Sequence, residues 1–374
     1  MNEPTADARD YHGPRYRALV LDLALGLATL ALLAFSRAGD GLYESVDRLP
    51  WWAAAPLLTL LVVAVSTLVR LPVALWRDFV HERRFGFSTQ TLGGFAADRL
   101  KGLVVGGTMS AAAVLGLVGA IHAAPSAWPA IAAPGAALVV VLLTFVAPVL
   151  LEPVFNRFHT LPDEALAAEL RAFAARVGVP VREVLVADAS RRTRKVNAYV
   201  SGLGSTRRVV LYDTLLERAS LEELEIVIAH ELGHRRYRHV AQETLLGMSG
   251  TAALVVALWA LWRWEGLSAA VGATGPGDPR AVPFLLLLSA VVGLVTAPFQ
   301  SALSRRWELQ CDRFALEQVG DLGAFESAFA VLAEANLADP RPPRLLYLWF
   351  FTHPTVPERL EAARRAVPSA TVPA

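Results

Sequence analysis

The feature that most constrains this chain is a set of six long apolar stretches. A helix that crosses a bilayer needs about 20 mostly apolar residues. Six stretches meet that requirement, at roughly 18–36, 52–75, 103–122, 130–151, 245–264 and 282–300. Buried helices of soluble domains are amphipathic, whereas these stretches are apolar on every face. Only 18% of the residues are charged, against about 25% in soluble domains, so the sequence predicts a polytopic helical membrane protein.

Basic residues are distributed unevenly between the two sides of these spans. The N-terminus, the 76–102 loop, the large 152–244 region and the C-terminal tail share one side and contain most of the arginines. The opposite side has three short loops, whose basic residues are Arg37, Arg48 and Arg280. Loops rich in arginine and lysine stay in the cytoplasm. We therefore expect the first side to be cytoplasmic.

The region between the fourth and fifth spans has the patterns of a small folded domain. A helix is predicted at 163–177, and strands are predicted at 184–187, 197–202 and 208–212, with 197–202 at an edge. Ser220 followed by Glu223 is a capping-box pattern, which indicates the start of another helix. The tail from 302 to 367 is predicted to form three or four helices. These elements predict an α+β domain on the cytoplasmic side.

The sequence HELGH, from His230 to His234, is the strongest chemical signal in the chain. Residues four apart share one face of a helix, so the imidazoles of His230 and His234 can bind one metal ion. Glu231 lies between them and can take a proton from a water on that metal. This pattern predicts one catalytic zinc ion per chain, and catalytic zinc needs three protein ligands and an open position.

The third ligand must come from elsewhere in the sequence. Position 240, where some zinc proteases with this motif have a third histidine, is Val240. Glu308 is the best candidate, because it follows the last span on the same side as HELGH. Asp312 is four residues further on and shares a helix face with Glu308. Such a pair suits one carboxylate on the metal and one that holds a ligand histidine.

Over residues 76–365, the sequence resembles the type 1 CAAX prenyl proteases, membrane metallopeptidases of the glutamate-zincin class. The shared motifs appear in the family's order. They are 78–87 (DFVHERRFGF), Asn197-Ala198-Tyr199, 210–216 (VLYDTLL), HELGH with His239 five residues later, 305–308 (RRWE) with Asp312, and His353-Pro354 with Arg359. Several independent motifs in one order are more specific than HELGH alone.

The resemblance implies a function for each matched residue. It implies zinc held by His230, His234 and Glu308, with Glu231 as the general base and Asp312 as a further catalytic group. It implies that Asn197 and Ala198 bind the substrate backbone, and that His353 and Arg359 stabilise the carbonyl of the scissile bond. The implied fold is mainly α, a helical membrane barrel that encloses a chamber and is capped by a zincin-like α+β domain.

We therefore expect two domains. Residues 1–151 form a membrane domain with four spans and a cytoplasmic loop at 76–102. Residues 152–374 form the zinc metallopeptidase domain, interrupted by the last two spans. The family usually has seven spans, and the short, charged segment 37–51 replaces one of them here. The expected localisation is a bacterial inner membrane.

The expected partners are the lipid bilayer and peptide or protein substrates that are membrane-associated or lipidated. The formal net charge of +1 gives no indication of nucleic-acid binding, and the single cysteine, Cys311, excludes an intrachain disulfide. Glu231 argues against a catalytically silent scaffold, which needs no general base. A transporter is disfavoured, because no pair of broken helices and no clear intramembrane charge marks an ion path. A stress-type quality-control protease with the same zinc chemistry stays open as an alternative.

The distribution of arginines gives a first testable prediction. A reporter fused at Ala374 should be cytoplasmic, and a reporter inserted within 265–281 should be on the opposite side, because an odd number of spans separates these two positions. Paired alkaline phosphatase and fluorescent protein fusions measure this directly. Finding both reporters on the same side would refute the six-span topology.

Overall fold

The computed structural model describes residues 6–366. Its N-terminal part is helical, because its long apolar segments satisfy their backbone hydrogen bonds within one helix. The helices are α1 (Ala6–Phe35), α2 (Arg37–Glu44), α3 (Trp51–Leu75), α4 (His81–Arg84), α5 (Leu92–Ala123), α6 (Trp128–Val146) and α7 (Glu152–Phe155). Two π-helical turns, Trp76–Val80 and Ala147–Leu151, connect α3 to α4 and α6 to α7.

The C-terminal part combines a small sheet with further helices. In chain order these are β1 (Phe158–Thr160), α8 (Glu164–Arg176), β2 (Glu183–Ala187), β3 (Ala198–Ser201), β4 (Arg208–Tyr212), α9 (Asp213–Leu216), α10 (Leu221–Arg236), α11 (His239–Leu261), α12 (Glu265–Val271), α13 (Val282–Val319), α14 (Leu322–Ala335), α15 (Arg344–Phe350) and α16 (Val356–Ala366). The predicted helix at 163–177, the strands and the helices of the tail are confirmed, whereas the short strand β1 was not expected.

Among residues 6–366, six helical stretches are long and apolar enough to cross a membrane, which confirms the predicted fold class. They are Ala8–Phe35, Trp51–Arg84, Leu92–Ala123, Trp128–Phe155, His239–Leu261 and Pro279–Val319. Each overlaps one predicted span, and all six are longer than predicted. The segment 76–102, expected to connect two spans, is mainly helical and contains α4 and the first part of α5. Within 37–51 the structure has α2, whose 8 residues are too few to span a bilayer.

An ion pair joins the first two spans. Asp22 of α1 is buried, and its Oδ2 atom lies 2.6 Å from Nη2 of Arg70 on α3. Nη1 of Arg77 lies 3.5 Å from the same oxygen. This pair was not predicted, because the two residues are far apart in sequence, although each lies inside one of the predicted spans 18–36 and 52–75. Each charge has a partner, and the contact links α1 to α3.

The sheet has the order β1-β2-β4-β3, so β3 lies at one edge as predicted. β2 and β4 are parallel, and β3 pairs with β4 in antiparallel register, with Ala198 opposite Leu211. Parallel pairing of β2 and β4 requires a crossover, in which the edge strand β3 lies between them in sequence. One side of β3 is therefore open and can face the metal motif.

Helix α10 is the centre of the core of the C-terminal part. Its first turn has the predicted capping box, in which Ser220 and Glu223 bond to each other's backbone N–H groups. Leu224, Ile226 and Ile228 are almost fully buried among residues from the sheet, α8, α13 and α14. This apolar packing fixes the helix that contains HELGH, so its polar residues are held by a rigid element.

Helices α10 and α13 cross at the glycine of the metal motif. A Cβ atom added to Gly233 would lie 3.2 Å from the Cα, Cβ and Sγ atoms of Cys311. That is closer than ordinary van der Waals contact, so a side chain at this position would push the helices apart. Cys311 itself is fully buried. The crossing explains why the motif needs a glycine between its two histidines in this fold.

We expect Gly233→Ala to destabilise the protein by about 1–3 kcal/mol, the usual effect of overpacking. It should also weaken metal binding, because α13 would move away from the histidines of α10. Thermal unfolding in detergent and competition with a metal chelator measure the two effects. Gly250→Ala on α11 is the matched control, because a Cβ there meets no atom within 4 Å. Equal behaviour of the two variants would contradict the close crossing.

Candidate metal centre

Two helices bring three metal-binding side chains together. His230 and His234 project from one face of α10, and Glu308 projects from α13. The two Nε2 atoms are 3.4 Å apart. Carboxylate oxygens of Glu308 lie 3.2 Å from Nε2 of His230 and 3.3 Å from Nε2 of His234. The three predicted metal ligands therefore form a compact triangle.

The triangle has the size that a tetrahedral metal requires. Zinc–nitrogen and zinc–oxygen bonds of about 2.0–2.1 Å place neighbouring ligands roughly 3.3–3.4 Å apart. The three observed separations are close to that edge length, with Oε2 of Glu308 nearest His230 and Oε1 of Glu308 nearest His234. Oε2 of Glu308 is also buried and has no hydrogen-bond partner among the described residues. Buried carboxylate oxygens are seldom unpaired, so the residues fit a metal ion bound at this point.

Asp312 and Arg359 orient His230 through its Nδ1 atom, on the side of the ring away from the metal-binding Nε2 atom. Nδ1 of His230 lies 2.9 Å from Oδ1 of Asp312. Arg359, on α16, donates from Nε at 2.8 Å and from Nη2 at 2.5 Å to the two oxygens of Asp312. With its Nδ1 proton donated to Asp312, His230 presents an unprotonated Nε2 to the metal. The carboxylate and the guanidinium are both buried, and each neutralises the other.

His239 does the same for the second histidine. Its Nδ1 lies 3.1 Å from Nδ1 of His234, and its Nε2 lies 3.2 Å from Oε1 of Gln310 on α13. If Gln310 accepts from Nε2, then His239 accepts from His234 through Nδ1, and Nε2 of His234 is free for the metal. Stacking against Trp307 fixes the His239 ring. Sequence analysis named His239 only as a shared motif, although its five-residue spacing from His234 was a usable signal.

Cys311 does not add a second metal centre to this arrangement. His234, His239 and Cys311 are close enough together to hold an ion, and Sγ of Cys311 lies 3.7 Å from Nδ1 of His239. An ion there would need Nδ1 of His234, which already contacts His239. We therefore expect one metal ion, at the ligand triangle.

Glu231 lies beside the metal ligands and faces a groove. It lines a cavity of about 360 Å³ together with His230 and Arg359. Burial raises the pKa of its carboxyl group, although His230 and His234 nearby oppose this effect. Because the carboxyl group lines the groove beside His230, it is placed to exchange a proton with a water or a substrate bound there. The geometry therefore suits a general base.

The other predicted site residues lie along the same groove. Asn197 and Ala198 form one wall at the edge of the sheet, and His353, between α15 and α16, forms another. Nε2 of His353 lies 3.4 Å from Oε1 of Glu308, and most of its side chain is exposed to the groove. The structure thus brings together His230, Glu231, His234, Glu308, Asp312, His353, Arg359, Asn197 and Ala198. Asn336 and Arg235, whose side chains contact the sheet edge, were missed by sequence analysis.

Sequence profiles of known families match both parts of the chain. The profile described as peptidase family M48 matches residues 160–367. The profile described as CAAX prenyl protease N-terminal, five membrane helices, matches residues 3–157. The second description differs from the four candidate spans in this part of the structure, and α2 lies where a further helix is expected.

Individual relatives agree with these profiles. The chain is 31% identical over 315 residues to the CAAX prenyl protease 1 homolog of Arabidopsis thaliana, covering 80% of this chain and 71% of that protein. It is 28% identical over 309 residues to the uncharacterized metalloprotease YhfN of Bacillus subtilis (strain 168), covering 80% and 71%. The fold resembles the crystal structure of S. mikatae Ste24p, with a TM-score of 0.79, 23% identity and coverage of 96% and 88%.

We expect Asp312→Asn to lower metal affinity about 10–100-fold, the usual effect of removing a group that holds a ligand histidine. Glu308→Ala should lower it further, because one of three ligands is lost. Zinc content and competition with a chelator of known affinity measure both effects. Glu317→Ala, on the exposed side of α13, is the control. Full metal content in Glu308→Ala would place the third ligand elsewhere, with Asp312 the next residue to test.

Proposed function

The chain belongs to peptidase family M48 and is an integral-membrane metallopeptidase, and we propose that it uses one zinc ion to cleave membrane-associated or lipidated proteins on the cytoplasmic side of a bacterial inner membrane. The observation that carries this proposal is the triangle of His230, His234 and Glu308 with Glu231 beside it. Two neutral imidazoles and one carboxylate are a ligand set that zinc prefers, and Glu231 is left free for proton transfer.

Zinc bound at this triangle would supply Lewis acidity, which lowers the pKa of a coordinated water and polarises a carbonyl group. The protein's own residues do the rest. Glu231 takes the proton from the attacking water and delivers it to the nitrogen of the leaving amine. Asp312 and His239 keep the ligand histidines in one orientation and one tautomer throughout the reaction.

His353 and Arg359 are proposed to act on the oxygen of the scissile carbonyl. His353 projects into the groove close to Glu308 and can donate a hydrogen bond to a developing negative charge. Arg359 is buried, and its Nε and Nη2 atoms are engaged by Asp312. Its positive charge therefore acts on the reacting carbonyl from a fixed position, while its contacts orient Asp312.

The proposed substrates and orientation are supported by several observations. A metal centre next to the bilayer is supported by α13, which continues from a candidate span directly to Glu308. Relatives named CAAX prenyl protease act on lipidated proteins, as that name states. The excess of arginine on the metallopeptidase side favours the cytoplasm. The Bacillus subtilis relative supports a bacterial membrane.

Replacement of Glu231 tests the proposed reaction. Glu231→Gln keeps the size of the side chain but cannot accept the proton, so cleavage should fall at least about 100-fold while zinc content is unchanged. The assay uses a fluorogenic peptide in detergent micelles, with and without a prenylated C-terminal cysteine. Glu222→Gln, an exposed position on α10, is the control.

Two outcomes would count against parts of this proposal. Full activity in Glu231→Gln would exclude Glu231 as the base. Equal cleavage of the prenylated and unprenylated peptides would remove lipidated proteins as the preferred substrates, while leaving the zinc-dependent peptidase intact.

A further inference from the structure

The pairing of β3 with β4 determines which backbone N–H and C=O groups point to the open side of β3. Asn197 accepts a hydrogen bond from the N–H of Tyr212 at 3.0 Å, and Ala198 lies opposite Leu211. Backbone groups alternate between the two sides of an antiparallel strand. Val196, Ala198 and Val200 therefore direct their N–H and C=O groups away from β4. The groove with Glu231 is lined by Val196 and Ala198, so these groups are available to a substrate unless the protein itself occupies them.

Asn336 occupies both groups of Val196. It is the residue that ends α14, and Leu337 after it has a left-handed backbone with φ of 49°. Oδ1 of Asn336 accepts from the N–H of Val196 at 3.1 Å, and Nδ2 donates to the carbonyl of Val196 at 3.2 Å. One amide side chain thus makes the two hydrogen bonds that a neighbouring strand would make. A peptide cannot pair with Val196 while Asn336 is in place.

Arg235 occupies the other end. It follows His234 directly on α10, and its Nη2 atom donates a hydrogen bond to the carbonyl of Val200. A second strand would need that carbonyl to continue along the edge. The open side of β3 is therefore closed at both ends by side chains, one from the end of α14 and one from the metal-binding helix.

Three backbone groups are left between these two side chains. They are the N–H and carbonyl of Ala198 and the N–H of Val200. The N–H of Ala198 is covered by Oδ1 of its neighbour Asn197 at 2.9 Å, and rotation of that side chain would release it. A bound peptide could thus use one of its own N–H groups and two of its carbonyls, whichever way its chain runs.

We propose that Asn336 and Arg235 are specificity-determining residues that limit substrate pairing to a window between Val196 and Val200. The proposal rests on the proposed peptidase function and adds the form of substrate that the site takes. The substrate is a short extended segment of about three residues, bound mainly through its backbone, because strand pairing carries little sequence information by itself. Long preformed strands are excluded, since their further N–H and carbonyl groups would find no partner on this edge.

The test uses peptides in which a single backbone nitrogen is methylated. The host is a fluorescein-labelled heptapeptide of small and β-branched residues with no repeat, and its affinity for the zinc-loaded Glu231→Gln protein in detergent is measured by anisotropy. Each position is methylated in turn. The methyl group removes one N–H donor, so it weakens binding only where the protein accepts that donor. The peptide is not consumed, so binding is measured separately from hydrolysis.

With Asn336 in place, we expect methylation to weaken binding at one peptide position, whose N–H pairs with the carbonyl of Ala198. Asn336→Ala should add a second such position two residues away, because the carbonyl of Val196 becomes free. Methylation there should weaken binding about 5–10-fold, the loss of one hydrogen bond of about 1 kcal/mol or slightly more. Arg235→Ala should add a sensitive position on the other side. The proposal would be overturned if neither substitution changed the methylation pattern. It would also be overturned if the additional sensitive position were found with Asn336 and Arg235 both intact.

The variants need a control for folding, because Asn336→Ala leaves two buried backbone groups unpaired. Zinc content and thermal unfolding are measured first, and Asn336→Asp serves as a second variant, which still accepts from Val196 N–H but no longer donates to its carbonyl. If neither Asn336→Ala nor Asn336→Asp folds, the methylation pattern measured with Asn336 and Arg235 intact decides. The proposal requires that this pattern contain no two sensitive positions that lie two residues apart. Peptide binding with the expected pattern but no cleavage by the Glu231-intact protein would contradict the proposed function and leave this inference standing.

Discussion

The structure depends on the buried carboxylate of Glu308, which α13 holds beside two histidines at the end of a candidate membrane span. Glu308 lies in α13, a helix that begins in an apolar candidate span and ends in the core around the sheet and α10. Its charge is buried, and it is tolerated because cationic or metal partners surround it. The crossing at Gly233 sets its distance from the histidines. The last candidate span and one of the metal ligands are therefore parts of one helix, and a displacement of that span would displace the ligand.

The parts of the site that sequence analysis found are those with a local pattern or a family motif. The i, i+4 spacing of His230 and His234 fixes their relative position whatever the rest of the chain does. The capping box at Ser220 and the strand at 208–212 are local in the same way. Glu308 was found because its place after a span limited where it could lie. The fold class followed from apolar stretches alone, since a bilayer permits few alternatives.

The parts that sequence analysis missed are contacts between distant segments. The Asp22–Arg70 pair joins residues 48 apart, and the Asn336–Val196 contact joins residues 140 apart. No periodicity or spacing reports such contacts. Asn336 appears in the sequence as an ordinary residue at a helix end. The helical structure of much of 76–102 was not predicted for another reason: its charged residues lower its hydropathy, although a π-helical turn, α4 and the start of α5 lie within it.

The contacts of Asn336 and Arg235 with the two ends of the β3 edge also reconcile protection of the edge with substrate binding. An edge strand with free N–H and carbonyl groups pairs readily with other chains, and proteins protect such edges with charges or covering segments. A peptidase that binds its substrate along an edge cannot cover the edge completely. Here Asn336 and Arg235 protect the ends, and the side chain of Asn197 covers one group between them. The exposed part is then too short for stable pairing with another strand, and its position next to Glu231 allows a short extended segment to reach the reacting groups. The same three side chains thus protect the edge from other strands and leave room for a short substrate segment.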